Sequence, residues 1–128
     1  MKKPIRKSLV IKLDTIFSQY IRRKDAISDI AICVTCGKKD HYKKLQCGHF
    51  QSRSHYSTRW LETNVGVQCY GCNISRSGEQ YKFSQYLGDN LAQEMYIKSK
   101  QIVKFADVDL IEMIEYYTNK VMYLDSIP

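Results

Sequence analysis

Cys33 and Cys36, then Cys69 and Cys72, form two C-x-x-C pairs with 32 residues between them. Each pair can turn two thiolates onto one ion, and two such knuckles wrap a tetrahedral zinc with no open coordination position. A zinc held this way would be structural. The fifth cysteine, Cys47, stands alone on an expected strand and reads as a small core residue. Between the pairs lie Gly48-His49 and Asn64, and Asn73 directly follows the last cysteine. Phosphodiester cleavage needs a group that deprotonates water and a divalent cation that neutralises charge on the phosphate and leaving oxygen. A histidine at a strand end can supply the base, and an asparagine on a neighbouring segment can orient it. An oxygen or nitrogen ligand near the start of the next helix can help to hold the cation. His49, Asn64 and Asn73 stand in those three places, in that order.

The elements that must position them can be read from pattern. Residues 8–24 carry Leu9, Val10, Leu13, Ile16, Phe17, Tyr20 and Ile21 at three-and-four spacing, with Ser8 as a cap and Arg22, Arg23 and Lys24 in the last turn. Residues 30–34 read as a strand leading into the first knuckle, and the lysine-rich run 37–44 as a solvated loop. Residues 45–50 read as a second strand and 65–68 as its return, joined by a long connection over 51–64. A connection of that length in a small domain points to function. Helices are expected over 77–87, with Gly88 as a stop, over 90–103, and from Asp107 to about Leu124. The last carries Leu110, Ile114, Tyr117, Val121 and Leu124 in a stripe that can pack on the domain or form a dimer contact. The fold class expected is α+β in one domain. An N-terminal helix (8–24), a zinc-braced core (30–88) and a C-terminal helical segment (89–128) make it up.

A chain of 128 residues has a modest core, which a structural metal would help to stabilise. No apolar run is long enough to span a bilayer and no signal-like segment follows the N-terminus, so a cytoplasmic, membrane-free protein is expected. In a reducing compartment paired cysteines favour metal over disulfides. The net charge of +7 is uneven: residues 1–44 carry +8, 45–87 carry +2 and 88–128 carry −3. A basic front suits a polyanion. Arg53, Arg59, Arg76 and Lys82 flank the proposed centre and are candidate DNA phosphate contacts, with Tyr56 and Trp60 as possible stacking groups.

The stretches Cys33-Val-Thr-Cys-Gly37, Gly48-His49-Phe50, Thr58-Arg59-Trp60, Glu62-Thr63-Asn64 and Gln68-Cys69-Tyr70-Gly71-Cys72-Asn73 resemble the HNH (ββα-metal) nucleases. More narrowly they resemble the phage NinG/Rap recombination family, a likeness that extends to the helix around Phe17–Ala26 and to the tyrosine-bearing last helix. The resemblance implies a metal-dependent endonuclease cutting branched DNA, such as Holliday junctions and D-loops, within a bacterial host. It implies an HNH or treble-clef-like ββα core braced by the four-cysteine zinc. It makes His49 the general base, Asn64 the residue that fixes its loop, and Asn73 a ligand to Mg²⁺ or Mn²⁺. Two positions depart from the usual HNH pattern. Gly48 replaces an acidic residue or histidine that ligates the metal, and Asn73 replaces a histidine. His55, Glu62 and Glu79 are candidates to complete the shell. The alternatives are a non-catalytic, zinc-stabilised DNA-binding module and a sequence-specific HNH nuclease. A homodimer through the C-terminal helix would suit paired nicking.

Overall fold

The computed structural model describes residues 4–127. It is a mixed α+β fold with two small antiparallel sheets. The first helix, α1 (Pro4–Arg23), presents Leu13, Phe17 and Ile21 at every fourth position, and all three are buried. It starts at Pro4 and not behind a Ser8 cap, because proline is accommodated in a first turn where its missing N–H is not needed; Ser8 is an exposed interior position.

Strand β1 (Ile30–Ile32) pairs antiparallel with β2 (Lys39–His41), which is followed by a 3-10 turn over Tyr42–Lys44. The expected solvated loop over 37–44 is therefore an ordered arm. Its lysines face solvent, but Tyr42 is buried, with its ring under the Arg23 guanidinium at 5.1 Å. One buried aromatic among four lysines left too little apolar pattern to reveal a strand.

The central hairpin is β3 (Gln46–His49) against β4 (Val65–Gln68), with Gly48 opposite Gly66 and His49 opposite Val65. Side chains alternate across a strand. Cys47 and His49 thus share one face with Val65 and Val67, while Gln46 and Gly48 share the other with Gly66 and Gln68. The connection between the strands holds a short helix, α2 (Tyr56–Arg59), and a 3-10 turn over Glu62–Asn64.

After β4 the chain makes a π-type turn over Gly71–Ser75. Ser77, Gly78 and Glu79 then all take left-handed backbone, at φ 52°, 91° and 49°. That turn delays α3 to Gln80–Leu87, three residues later than expected. Helix α4 (Asp89–Ser99) stops short of the expected Val103. Helix α5 (Asp107–Ser126) opens with the Asp109 carboxylate accepting from the Ala106 N–H at 2.8 Å.

On α5 Leu110, Tyr117 and Val121 are buried, and Leu110 and Tyr117 join the same core as Leu13 and Phe17 of α1. The Phe17 and Tyr117 rings meet edge to face at 5.0 Å. Arg6 pairs with Asp107 at 3.2 Å and Arg23 with Asp125 at 2.7 Å, so the two helices run parallel. The α5 stripe is spent on α1, and a dimer through α5 would have to use its other face. Among the described residues no helix is long and apolar enough to cross a membrane.

Candidate active site and metal centre

The four cysteines of the two knuckles converge. Their sulfurs all lie within 4.8 Å of one another, with Cys36 Sγ 3.7 Å from Cys69 Sγ. A tetrahedral zinc with bonds of about 2.3 Å sets sulfurs roughly 3.8 Å apart, so the donor set fits that ion. Gly37 makes the first knuckle possible by taking φ 81° and returning its N–H to the Cys33 carbonyl at 2.9 Å. The Cys69 sulfur accepts from the Cys72 N–H at 3.4 Å, and the Val34 N–H reaches the Val67 carbonyl at 2.8 Å, which ties the first knuckle to β4.

The two thiols of the first knuckle differ in how readily each loses its proton. Burial raises the Cys33 pKa, but hydrogen bonds from Thr35 and from backbone amides outweigh it and pull the thiol down to about 6. Cys36 is pushed up to about 12, the lowering effect of its hydrogen bond to the Lys38 backbone being overcome by desolvation and by the neighbouring sulfurs. Four thiolates cannot ionise together without a metal to share. Arg76 donates to Cys72 Sγ at 3.3 Å and offsets part of the negative charge such a cluster carries. Cys47 stays out of the cluster; it packs against the core, and desolvation pushes its thiol up to about 12.

The largest cleft, of about 810 Å³, runs along the edge of β3 that no strand covers among the described residues. Asp14, Ser18 and Arg22 of α1 form one bank, and Asn73, Ser77 and Gly78 form the other. His49 opens into it, as do Arg53 and His55 from the long connection. His49 Nε2 lies 2.9 Å from the Arg59 carbonyl. A carbonyl only accepts, so Nε2 carries the proton, and Nδ1 keeps a lone pair with no protein partner among the described residues. Desolvation lowers the His49 pKa below its ordinary 6.5, reinforced by Arg53 and only partly opposed by the Arg59 hydrogen bond. The ring is therefore neutral at pH 7 and able to accept a proton.

Asn64 is fully buried and knots the loop that supplies that carbonyl. Its Nδ2 donates to the Gln51 carbonyl at 3.0 Å and the Thr58 carbonyl at 3.1 Å, and its Oδ1 accepts from the Gln51 N–H at 2.9 Å. Asn64→Ala should therefore lower stability by about 2–4 kcal/mol, because the buried Thr58 carbonyl and the part-buried Gln51 N–H and carbonyl lose their partner. Chemical denaturation checks this, and a loss under 0.5 kcal/mol (roughly the size of a surface substitution) would show that the loop is held by other contacts.

Asn73 donates from Nδ2 to Gln46 Oε1 at 2.7 Å, and its Oδ1 has no side-chain or backbone donor among the described residues. The other candidate ligands are dispersed. His55 lines the cleft, but Glu62 accepts from the Tyr117 hydroxyl at 2.9 Å and Glu79 pairs with Arg76 at 2.7 Å, and neither lines it. Of the candidate phosphate contacts, Arg53 is exposed on the cleft rim. Arg59 is half-buried and committed to Asp14, with Nη2 2.6 Å and Nε 3.2 Å from its two oxygens. Arg76 is engaged by Cys72 and Glu79, and Lys82 is exposed on α3, outside the cleft lining. Trp60 is core, with its Nε1 donating to Asp14 at 2.9 Å.

Three residues outside the candidate site set gain roles in the structure. Asp14 anchors both Arg59 and Trp60, Arg22 brings a cation onto the cleft, and Gln68 lies buried beneath Gly48. Asp14 and Arg22 sit on a helix whose apolar stripe dominates its pattern, so their partners were invisible in sequence.

These features define a small α+β protein built around a four-cysteine cluster able to hold a metal ion, with a histidine-bearing cleft beside it. The family model described as Bacteriophage Lambda NinG protein matches residues 2–126, and the chain belongs to that family. Neither the curated proteins nor the solved structures contain a significant match.

Proposed function

We propose that this phage-family protein is a zinc-braced, HNH-type endonuclease that hydrolyses phosphodiester bonds in branched DNA. The observation that carries the reading is His49, neutral and clamped at Nε2, with an unpartnered Nδ1 on an open cleft. In this reading Nδ1 takes a proton from water, the hydroxide oxygen bonds to phosphorus, and the P–O bond to the leaving strand breaks. Arg22 and Arg53 are the cations on the cleft that would hold the phosphate; Arg53 stands 3.6 Å from Asp14, which Arg59 already pairs at 2.6 Å, and Arg22 also donates to the Tyr42 carbonyl at 3.0 Å. The chain order β3, β4, turn and α3 agrees with a ββα core. A Mg²⁺ or Mn²⁺ ion would supply charge neutralisation on the phosphate. Asn73 Oδ1 is the oxygen donor suited to it, with His55 nearby and water and phosphate oxygens filling the remaining positions.

The branched substrate follows from the family resemblance. It is tested by offering a four-way junction and a matched linear duplex with Mg²⁺, with Mn²⁺ and with neither. Cutting of the junction alone, and only with metal, is the expected result; equal cutting of the duplex removes the branched-DNA claim. A second reading, a DNA-binding module without catalysis, is favoured by the lack of a free carboxylate in the cleft. Binding of the junction with no cleavage under any metal condition would decide for it.

The clamped histidine also sets a pH profile. Hydrolysis needs neutral His49, and burial lowers its pKa, so activity should hold steady through neutrality. It should fall only below the ordinary imidazole range, around 6.5, as Nδ1 becomes protonated. Single-turnover rates between about pH 5 and 8 read this out. A rate that rose on acidification would exclude His49 as the base.

A further inference from the structure

Gln68 closes β4 with no surface exposure, a costly position for a primary amide. Its Nε2 donates to Thr35 Oγ1 at 3.1 Å and to the Gly78 carbonyl at 2.9 Å. The Gly78 carbonyl can only accept, so the amide cannot be reversed, and Oε1 is left buried without a hydrogen-bond partner. That oxygen lies against Gly48. A Cβ on residue 48 would collide with Oε1 and sit 2.6 Å from Cδ and 2.9 Å from Cγ. The amide is met there by a glycine Cα–H, a weak donor that no larger residue could present so closely. Position 48 is glycine because Gln68 fills the place of its side chain.

The three groups that Gln68 touches belong to three different parts of the molecule. Thr35 is a buried residue of the first cysteine knuckle, with its Oγ1 3.3 Å from Cys33 Sγ. Gly48 immediately precedes His49. Gly78 lines the cleft at the centre of the left-handed run Ser77–Glu79. Ser77 and Glu79 adopt that conformation against their preference, so the turn depends on outside ties. One tie is the Gln68 bond; another is the Gly78 N–H to the Cys72 carbonyl at 2.8 Å.

We propose that Gln68 is a positioning residue that transmits the geometry of the four-cysteine knuckle to the cleft, setting at once the backbone before His49 and the turn after Asn73. The proposal rests on the reading of the cleft as a hydrolytic site. Gln68 touches no substrate; it acts through Gly48 and Gly78.

The test compares wild type with Gln68→Met, Gly48→Ala and the double variant Gly48→Ala/Gln68→Ala. The readouts are zinc per chain, the rate of zinc transfer to a chromogenic chelator, and kcat and KM on a four-way junction. Gln68→Met keeps the length of the side chain without its hydrogen bonds. It should retain its zinc and a KM within about threefold of wild type, while kcat falls at least ~30-fold and zinc leaves several-fold faster. A loss of overall folding would not produce that split. Gly48→Ala should lose at least as much kcat, and the double variant, which relieves the clash but still lacks the Gln68 bonds, should stay at least ~30-fold below wild type. A Gln68→Met protein whose kcat and zinc-transfer rate both stay within about twofold of wild type overturns the proposal. A double variant with kcat within about twofold of wild type also overturns it, because the Gln68 bonds would then be dispensable, and this result decides the matter should Gln68→Met not fold. If wild type cuts no DNA with any metal, the hydrolytic reading is what fails. The zinc-transfer rates then decide separately: unchanged rates in Gln68→Met refute the link to the knuckle, and faster rates sustain it.

Discussion

His49→Ala should reduce junction cleavage by roughly 10²–10⁴-fold, the usual worth of a positioned general base. It should do so without loss of zinc or of junction binding. The ring is clamped at one nitrogen by the Arg59 carbonyl and lies at the end of β3, away from the four cysteines, so its removal leaves the metal cluster and the α1–α5 core in place. Arg22 and Arg53, proposed above to hold the phosphate, also remain on the cleft. The loss should therefore fall on kcat, with KM little changed. His49→Gln offers a similar polar volume without a usable base and should be about as inactive, within a few-fold. Cleavage by His49→Ala within about threefold of wild type would remove this residue from the mechanism, whatever the protein's overall activity.

Loss of one cluster cysteine should have the largest effect on stability. Cys72 is fully buried among the four sulfurs, within the Gly71–Ser75 turn that also carries Asn73. Cys72→Ser should abolish stoichiometric zinc and lower the melting midpoint by on the order of 15 °C, since metal binding to such a cluster is largely folding free energy. Chelation of the wild type should reproduce the same shift. Cys47→Ser is the control, because Cys47 lies outside the cluster and should keep its zinc. Zinc content and melting curves for the two variants give the answer together. One zinc per chain in Cys72→Ser, with wild-type melting, would show that the ion is not held by these four sulfurs.

The two predictions act on neighbouring but separable centres. The cluster braces the hairpin and the turn behind it, and the cleft lies on the uncovered edge of the same hairpin. Zinc loss should therefore lower both stability and cleavage, whereas loss of His49 should lower cleavage alone.

Much of this organisation was legible in sequence because it is written in short-range pattern. C-x-x-C spacing places two thiolates on one turn whatever surrounds it. The three-and-four repeat of Leu13, Phe17 and Ile21 marks a buried helix face, and Val65–Gln68 marks a strand returning on Gln46–His49. His49, Asn64 and Asn73 could be singled out together; the structure sets His49 and Asn73 on one cleft and buries Asn64 in the loop between the strands. What the tertiary structure decided is which charged and polar groups remain available there. Arg59 is taken by Asp14, 45 residues away in sequence, Glu62 by Tyr117, 55 away, and Gln68 is turned under Gly48 by Thr35 and Gly78. Hydrogen bonds and ion pairs of that kind depend on where distant segments come to rest. A local pattern reports which face of an element is buried, but only the packed chain determines which polar groups each one meets.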